Sequence, residues 1–282
     1  MTKARDIFPG QLKLPSLPAH ISSSQRSWDT CRRYWALSSV LKLKPKDAKA
    51  SVNTTFGSLL HTVLETWYSS RLNDRGQDYL LGLLGASLQS TEWPEWMHVE
   101  IDDAAAETLR RFYKKYGNDG IEVTNTELKL DIELKGSNRP YVGYIDLVYT
   151  LGDTTYIEDI KTSRTSIDPM RYTLFNPALD DYIWAFQKTA GNEKRDVVGS
   201  YLFLTPDSAR RVVVPRHELS DRGVELAQLA SEQATLPLRP RYTWRCGDCG
   251  CSSLCAAHLT GRDPRDIIAT DFTTAEQREG EE

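Results

Sequence analysis

The chain is 282 residues long, 40% hydrophobic and 26% charged, with seven Trp and thirteen Tyr. That is material for one large domain or two small ones, on a prior of ~100 to 200 residues per domain. A formal net charge of -4 excludes a surface that is basic all over, so a polyanionic partner would need a local basic groove. No run approaches the ~20 apolar residues of a membrane helix, and the opening MTKARDIFPGQLKLPSLPAH lacks the apolar core of a signal peptide. No membrane partner is expected, and a reducing cytoplasm is the default compartment.

In chain order, residues 1–20 contain prolines and read as a weakly ordered N-terminal segment. Residues 22–41, with Trp28, Tyr34, Trp35 and Leu37, read as a short helix carrying Cys31. Residues 54–71 are a stronger helix, because Phe56, Leu59, Leu60, Val63, Leu64, Trp67 and Tyr68 recur at helical spacing. Further helix is expected at 77–90 and 101–117. The texture then changes: 123–134 alternates, 141–151 is rich in β-formers and 154–160 is a third short strand, with GSN and GD supplying turns. Three strands in succession predict an antiparallel meander. A helix at 178–190, strands at 197–204 and 210–214 and a helix at 218–233 follow. The order predicts an α/β fold with helices flanking a mixed central sheet, a single domain over 21–260 and a C-terminal tail over 261–282.

Four cysteines bracket this body, Cys31 near one end and Cys246, Cys249 and Cys255 near the other. The C-terminal run, CGDCGCSSLC, is a Cys-x2-Cys-x5-Cys with Cys251 spare inside it, so a fourth thiolate would come from Cys31. A metal shared by these four requires both chain ends to meet, as a clasp on one domain. Soft all-thiolate sites suit zinc or an iron-sulfur cluster, and spacing does not separate the two. A disulfide framework or unligated thiols are the plainer alternative, disfavoured by the odd count of five and the absence of a secretion signal.

The segments GYID, ending at Asp146, and IEDIK, containing Asp159 and Lys161, fall on consecutive strands. Side chains two apart share a face, so Asp159 and Lys161 point one way and Ile160 the other. An antiparallel turn at Gly152 and Asp153 would bring Asp146 beside Asp159. Two carboxylates and an ammonium at one end of a sheet suit a hard divalent cation and the charge of a phosphodiester. An Asp-x-Lys on a strand is more often a solvated ion pair. Here the apolar neighbours Val148, Tyr156, Ile157 and Ile160 predict a buried strand, where unpaired charge is costly.

The segments FGSLLHTVLE, GYIDLV and IEDIKTS, in this order, resemble the PD-(D/E)XK nuclease superfamily in its RecB-like branch. With SWDTCRRYW before them and CGDCGCSSLC after, the chain further resembles the iron-sulfur members of that branch, including CRISPR-associated and AddB-type exonucleases, over roughly residues 22–258. The resemblance implies a restriction-endonuclease-like core whose N- and C-terminal segments are joined by a 4Fe-4S cluster on Cys31, Cys246, Cys249 and Cys255. Cys251 and His258 are alternative ligands. It also implies catalytic roles for His61, Glu127, Asp146, Asp159 and Lys161, with Mg2+ or Mn2+ held by His61, Asp146, Asp159 and the Ile160 carbonyl. Glu65, one helical turn beyond His61, is placed to share its face. The chain departs from the branch where a Gln-x-x-x-Tyr is expected: Ala178 replaces the glutamine and Tyr182 is kept as a DNA contact. Trp184 and Phe186 read as core.

The implied function is a metal-dependent deoxyribonuclease, an exonuclease on single-stranded DNA or DNA ends in recombination, repair or replication. The alternative is a non-catalytic DNA-end-binding or CRISPR-adaptation module. DNA is the expected partner, with a recombination or CRISPR-adaptation protein and a second copy of the chain as further candidates. Arg32, Arg33, Arg164, Arg171, Arg239, Arg241 and Arg245, interleaved with Tyr34, Tyr172 and Trp244, suit phosphate tracking and base stacking along a single strand. No GxxxxGK[ST] occurs, so no helicase motor is expected.

Overall fold

A computed structural model describes residues 5–8, 12–14, 16–46, 52–70, 76–90, 95–189, 192, 196–214, 219, 221–243, 246–247 and 249–274. Its first elements are strands β1 (Arg5–Phe8) and β2 (Leu12–Leu14), one-turn helices α1 (Ser27–Thr30) and α2 (Arg32–Trp35), and β3 (Lys44–Pro45). Three longer helices follow, α3 (Val52–Ser69), α4 (Gln77–Gln89) and α5 (Glu95–Tyr116). Strands β4 (Glu122–Ile132), β5 (Tyr141–Leu151) and β6 (Thr154–Thr162) come next. Helices α6 (Pro169–Phe175) and α7 (Ala178–Gln187) then lead to β7 (Val197–Thr205) and β8 (Ser208–Val214). The last are α8 (Arg222–Thr235), α9 (Ser252–Leu259), α10 (Pro264–Asp271) and β9 (Phe272–Thr273). The chain divides into two compact units, residues 1–49, 133–141 and 223–282 in one and 50–132 with 142–222 in the other.

The second unit is built on a five-stranded sheet in the order β4-β5-β6-β7-β8. β5 and β6 run antiparallel, β6 and β7 parallel, and β7 and β8 antiparallel, so the sheet is mixed as the sequence predicts. A parallel pair needs a crossover, which α6 and α7 supply. The seven apolar residues that define α3 by periodicity are all buried. They pack with Leu109 and Phe112 of α5, Leu147 of β5, Ile160 of β6 and Leu202 of β7 in one core. Each fully buried side chain of this kind contributes roughly 1.5–3 kcal/mol, and together they fix the helix carrying His61 against the strands carrying Asp146 and Asp159.

Helix α7 lies on β7 at a glycine. A methyl group at Gly199 would fall 2.6 Å from Leu179 Cδ2 and 2.9 Å from Ile183 Cδ1. Gly199→Ala is therefore expected to push α7 off the sheet and cost about 1–3 kcal/mol. The check is urea unfolding, where the midpoint should fall at an unchanged m-value; an unmoved midpoint would contradict this close packing.

In the first unit β1 pairs with β2, and β3 with β9, both antiparallel. The segment expected to be weakly ordered, residues 1–20, carries two described strands. Ile7, Phe8 and Leu14 are buried in the unit's core with Trp35 and Leu254, and Phe272 joins them from the other end, so apolar burial holds residues 5–8, 12–14 and 264–273. Residues 1–4 and 275–282 lie outside the described residues. The single helix expected over 22–41 is corrected. It breaks at Cys31, whose backbone is extended (φ -158°, ψ 111°) and whose sulfur accepts the Tyr34 N–H at 3.5 Å as the N-cap of α2. Among the described residues no helix is long and apolar enough to cross a membrane.

Candidate active site

Three side chains from three elements of the second unit converge: His61 from α3, Glu127 from β4 and Asp146 from β5. One ligand atom of each lies within 4.8 Å of the others. His61 Nδ1 is 3.6 Å from Asp146 Oδ1, and Asp146 Oδ2 accepts the Ile160 N–H at 2.6 Å. The register of β5 on β6 runs from Leu151↔Thr154 to Leu147↔Glu158. One residue beyond it, the Asp146 carboxylate takes an N–H of β6, which anchors the acid to the strand that carries Asp159.

Glu127 reaches the group from a left-handed backbone, φ 46°, in mid-strand. That conformation costs a non-glycine residue roughly 1–2 kcal/mol and persists where the surroundings over-determine it, commonly at functional sites. Burial, then the charges of Asp146 and Glu65, raise the Glu127 pKa. For His61, burial disfavours the imidazolium, but the hydrogen bond and charge of Asp146 outweigh it and raise the pKa. Two carboxylates with an imidazole in reach form a donor set that fits a hard divalent cation.

Asp159 and Lys161 share a face as the sequence predicts, with Lys161 Nζ 2.5 Å from Asp159 Oδ2. Burial pushes the Asp159 carboxyl up to about 6 against the opposing pull of Lys161. Burial works to lower the Lys161 pKa, but the charge of Asp159 prevails and raises it, so the ammonium is retained. Asp159 stands outside the mutually close trio, and Glu127 stands within it. The Ile160 side chain is in the core while its N–H serves Asp146. Glu65 is exposed on α3.

Two contacts of this neighbourhood escape sequence reasoning, although Tyr172 itself is expected there as a base-stacking residue. Tyr172, delivered by α6, places its ring centroid 6.0 Å from Lys161 Nζ and packs 5.7 Å from Phe203. The start of α6 was legible, since Asp168 caps it by accepting the Met170 N–H at 3.0 Å with Pro169 following, a standard N-terminal signal. Glu158, on the opposite face of β6 from Asp159, is fully buried and bidentate to Arg211 at 2.6 and 3.1 Å. Arg211 also holds Asp119 at 2.6 Å and lies over the rings of Tyr116 and Tyr149. No local pattern marks a pair so far apart in sequence. On α7, Tyr182 is half-buried and its neighbour Asp181 is buried against Arg222 at 2.5 Å. Trp184 and Phe186 are core residues as expected.

In the first unit all five cysteines line one cavity of about 200 Å³, and no disulfide joins them. Cys31 Sγ accepts N–H groups of Tyr34 and Arg241, both at 3.5 Å, and Cys246 Sγ that of Thr243 at 3.4 Å. Burial, then the neighbouring cysteines, push the Cys251 thiol up to about 12. His258 packs on the Phe8 ring at 5.2 Å and is not among the residues lining the cavity.

The arginines expected along DNA separate into kinds. Arg33 is 5% exposed, and its guanidinium faces Cys255. Arg32, Arg239 and Arg241 line one pocket of about 240 Å³ together with Asp29 and Cys31. Arg164 is half-buried after β6, and Tyr34 is half-buried on α2. Trp244, Arg245 and the side chain of Arg171 lie outside the described residues.

A mixed sheet with α3 against it brings together an imidazole, clustered acids and a strand Asp-x-Lys, a set whose chemistry suits a phosphodiester. A family model of the PD-(D/E)XK nuclease superfamily matches residues 22–256. The chain belongs to that superfamily and is a nuclease of its α/β fold, a group that uses divalent metals. No curated protein matches the sequence. Among solved structures, a candidate exonuclease from Eubacterium rectale is similar at a TM-score of 0.49 and 11% identity, covering 82% of this chain and 87% of that one. SSO0001 is similar at a TM-score of 0.35 and 20% identity, covering 72% and 85%.

Proposed function

We propose that the protein is a Mg2+- or Mn2+-dependent deoxyribonuclease of the RecB-like, iron-sulfur branch, an exonuclease that shortens DNA from its ends in recombination, repair or replication. The observation that carries this reading is the convergence of His61, Glu127 and Asp146 within 4.8 Å, with the Asp159–Lys161 pair on the adjoining strand. Those three side chains would hold the cation. When bound, it supplies Lewis-acid polarisation of the phosphodiester and a nucleophile at neutral pH. Lys161, 27% exposed and held by Asp159, stabilises negative charge as it builds on phosphate. Tyr172 shields one side of that ammonium.

The thiolate cavity supports the iron-sulfur branch. Backbone N–H groups aimed at Cys31 and Cys246 suit anionic sulfur. Cys31, Cys246, Cys249 and Cys255 would hold a 4Fe-4S cluster, tie residue 31 to residues 246–255 and contribute to folding. A reducing cytoplasm would keep such thiols free of disulfides. The Arg32, Arg239 and Arg241 pocket suits a DNA phosphate.

The test is cleavage of 5'- and 3'-labelled single strands and duplex ends by anaerobically purified protein with Mg2+ or Mn2+. Progressive shortening that stops on chelation is expected. A folded, iron-loaded protein that cleaves none of these would transfer the reading to a non-catalytic end-binding module.

A further inference from the structure

We propose that Arg33 is the counter-charge of the cysteine site, a buried cation that donates to Cys255 and favours the anionic state of the whole metal-thiolate group. The inference rests on the iron-sulfur reading above. Arg33 is 5% exposed. Its Nη1 lies 3.9 Å from Cys255 Sγ, and its guanidinium carbon sits 4.6 Å from the Phe8 ring centroid. Its Nε is buried with no hydrogen-bond partner. Among the described residues no carboxylate is paired with it.

A buried guanidinium with no counter-ion is strongly disfavoured. The first unit holds a second buried arginine that shows how such a group is otherwise satisfied. Arg139 donates through Nη2 to the Ala230 carbonyl at 2.7 Å and to Gln233 Oε1 at 3.1 Å, so oxygen dipoles face its charge although its Nη1 is likewise buried without a partner. Among the described residues no such oxygen is bonded to Arg33. What faces it is sulfur on one side and an aromatic face on the other, and a π-face alone is a weak substitute for an anion. Four thiolates give the site a surplus of negative charge that one adjacent cation would offset. Hydrogen bonding to cluster sulfur and nearby net charge are also the factors that set a cluster's reduction potential. The position follows from the break at Cys31: the helix restarts at Arg32, and the second residue of the new turn is directed inward beside the cap.

The full chain is purified anaerobically as wild type, Arg33→Gln and Arg33→Lys. Iron and sulfide content of the wild type comes first; their absence would defeat the iron-sulfur reading and this inference with it. In a loaded protein, Arg33→Gln is expected to lose iron to EDTA at least ten times faster. Its one-electron reduction equilibrium should become at least tenfold less favourable, a shift of about 59 mV to more negative potential. A packing defect alone would speed iron loss without that shift. Arg33→Lys, which keeps charge but not the planar fork, should fall between the two and decides the matter if the Gln variant is insoluble. A loaded wild type whose soluble variants keep its potential and its rate of iron loss would overturn the proposal.

Discussion

Lys161→Ala should leave the protein folded and still able to take up divalent metal while DNA cleavage falls by about a hundred- to a thousand-fold, the usual loss when one preorganised charge-stabilising group is removed. Lys161 is not one of the three close donors, so metal uptake should survive its loss. Its role is read from its charge, its partial exposure and its anchor on Asp159 at 2.5 Å. Asp146→Asn should behave differently. It removes a donor of the trio and weakens the acceptor of the Ile160 N–H, so metal titration and cleavage should fail together. Single-turnover cleavage beside calorimetric metal titration separates the two variants. A Lys161→Ala protein that cleaves at the wild-type rate would remove Lys161 from the mechanism. A pH effect accompanies the first variant. Asp159 already sits at about 6 because burial outweighs Lys161. Without the ammonium its pKa must rise further, so its protonated form persists to higher pH, and any residual activity that needs the anion should shift upward in pH.

Much of this site was legible because local periodicity carries it. The apolar spacing of α3 places His61 at a fixed point on a buried helix, and the two strands around Gly152 and Asp153 follow from β-rich sequence and a turn. Antiparallel register then brings Asp146 toward Asp159 with no further information. What was not legible depends on tertiary context. Glu127 adopts a left-handed backbone that no strand pattern announces. Cys31 interrupts a helix because its sulfur competes for the Tyr34 N–H, whereas the periodicity of the surrounding aromatics reads straight through it. Arg33 and Arg241 look alike in sequence, yet one is buried and the other exposed. Charge alone does not sort an arginine into surface or interior, since the partners that make burial tolerable come from distant segments.

The Glu158–Arg211 pair is the strongest case of such distant partnership, and its removal carries the largest expected effect on stability. Glu158 lies opposite Ser200 on β7, and Arg211 opposite Leu202, so the guanidinium reaches diagonally over β7 to the carboxylate. The small Ser200 leaves room and donates to Glu158 Oε2 at 3.0 Å. Burial raises the Glu158 pKa despite Arg211, which shows how much the anion depends on its partner. Arg211→Met should therefore cost about 3–5 kcal/mol, the range for leaving one member of a buried pair uncompensated, and lower the melting temperature by roughly 6–20 °C. The double variant Glu158→Gln with Arg211→Met should recover a large part of that loss, because the fully buried charge is then gone and only the part-buried Asp119 is left without its partner. Glu158 adjoins Asp159 in β6 with its side chain on the other face, so the same change should also loosen the strand that positions Lys161. Calorimetric melting of both single variants and the double variant checks the coupling. Additive losses would mean that the pair acts as two independent polar groups rather than one unit. If the pair is coupled but cleavage by the double variant is unchanged, the network stabilises the sheet without tuning the site.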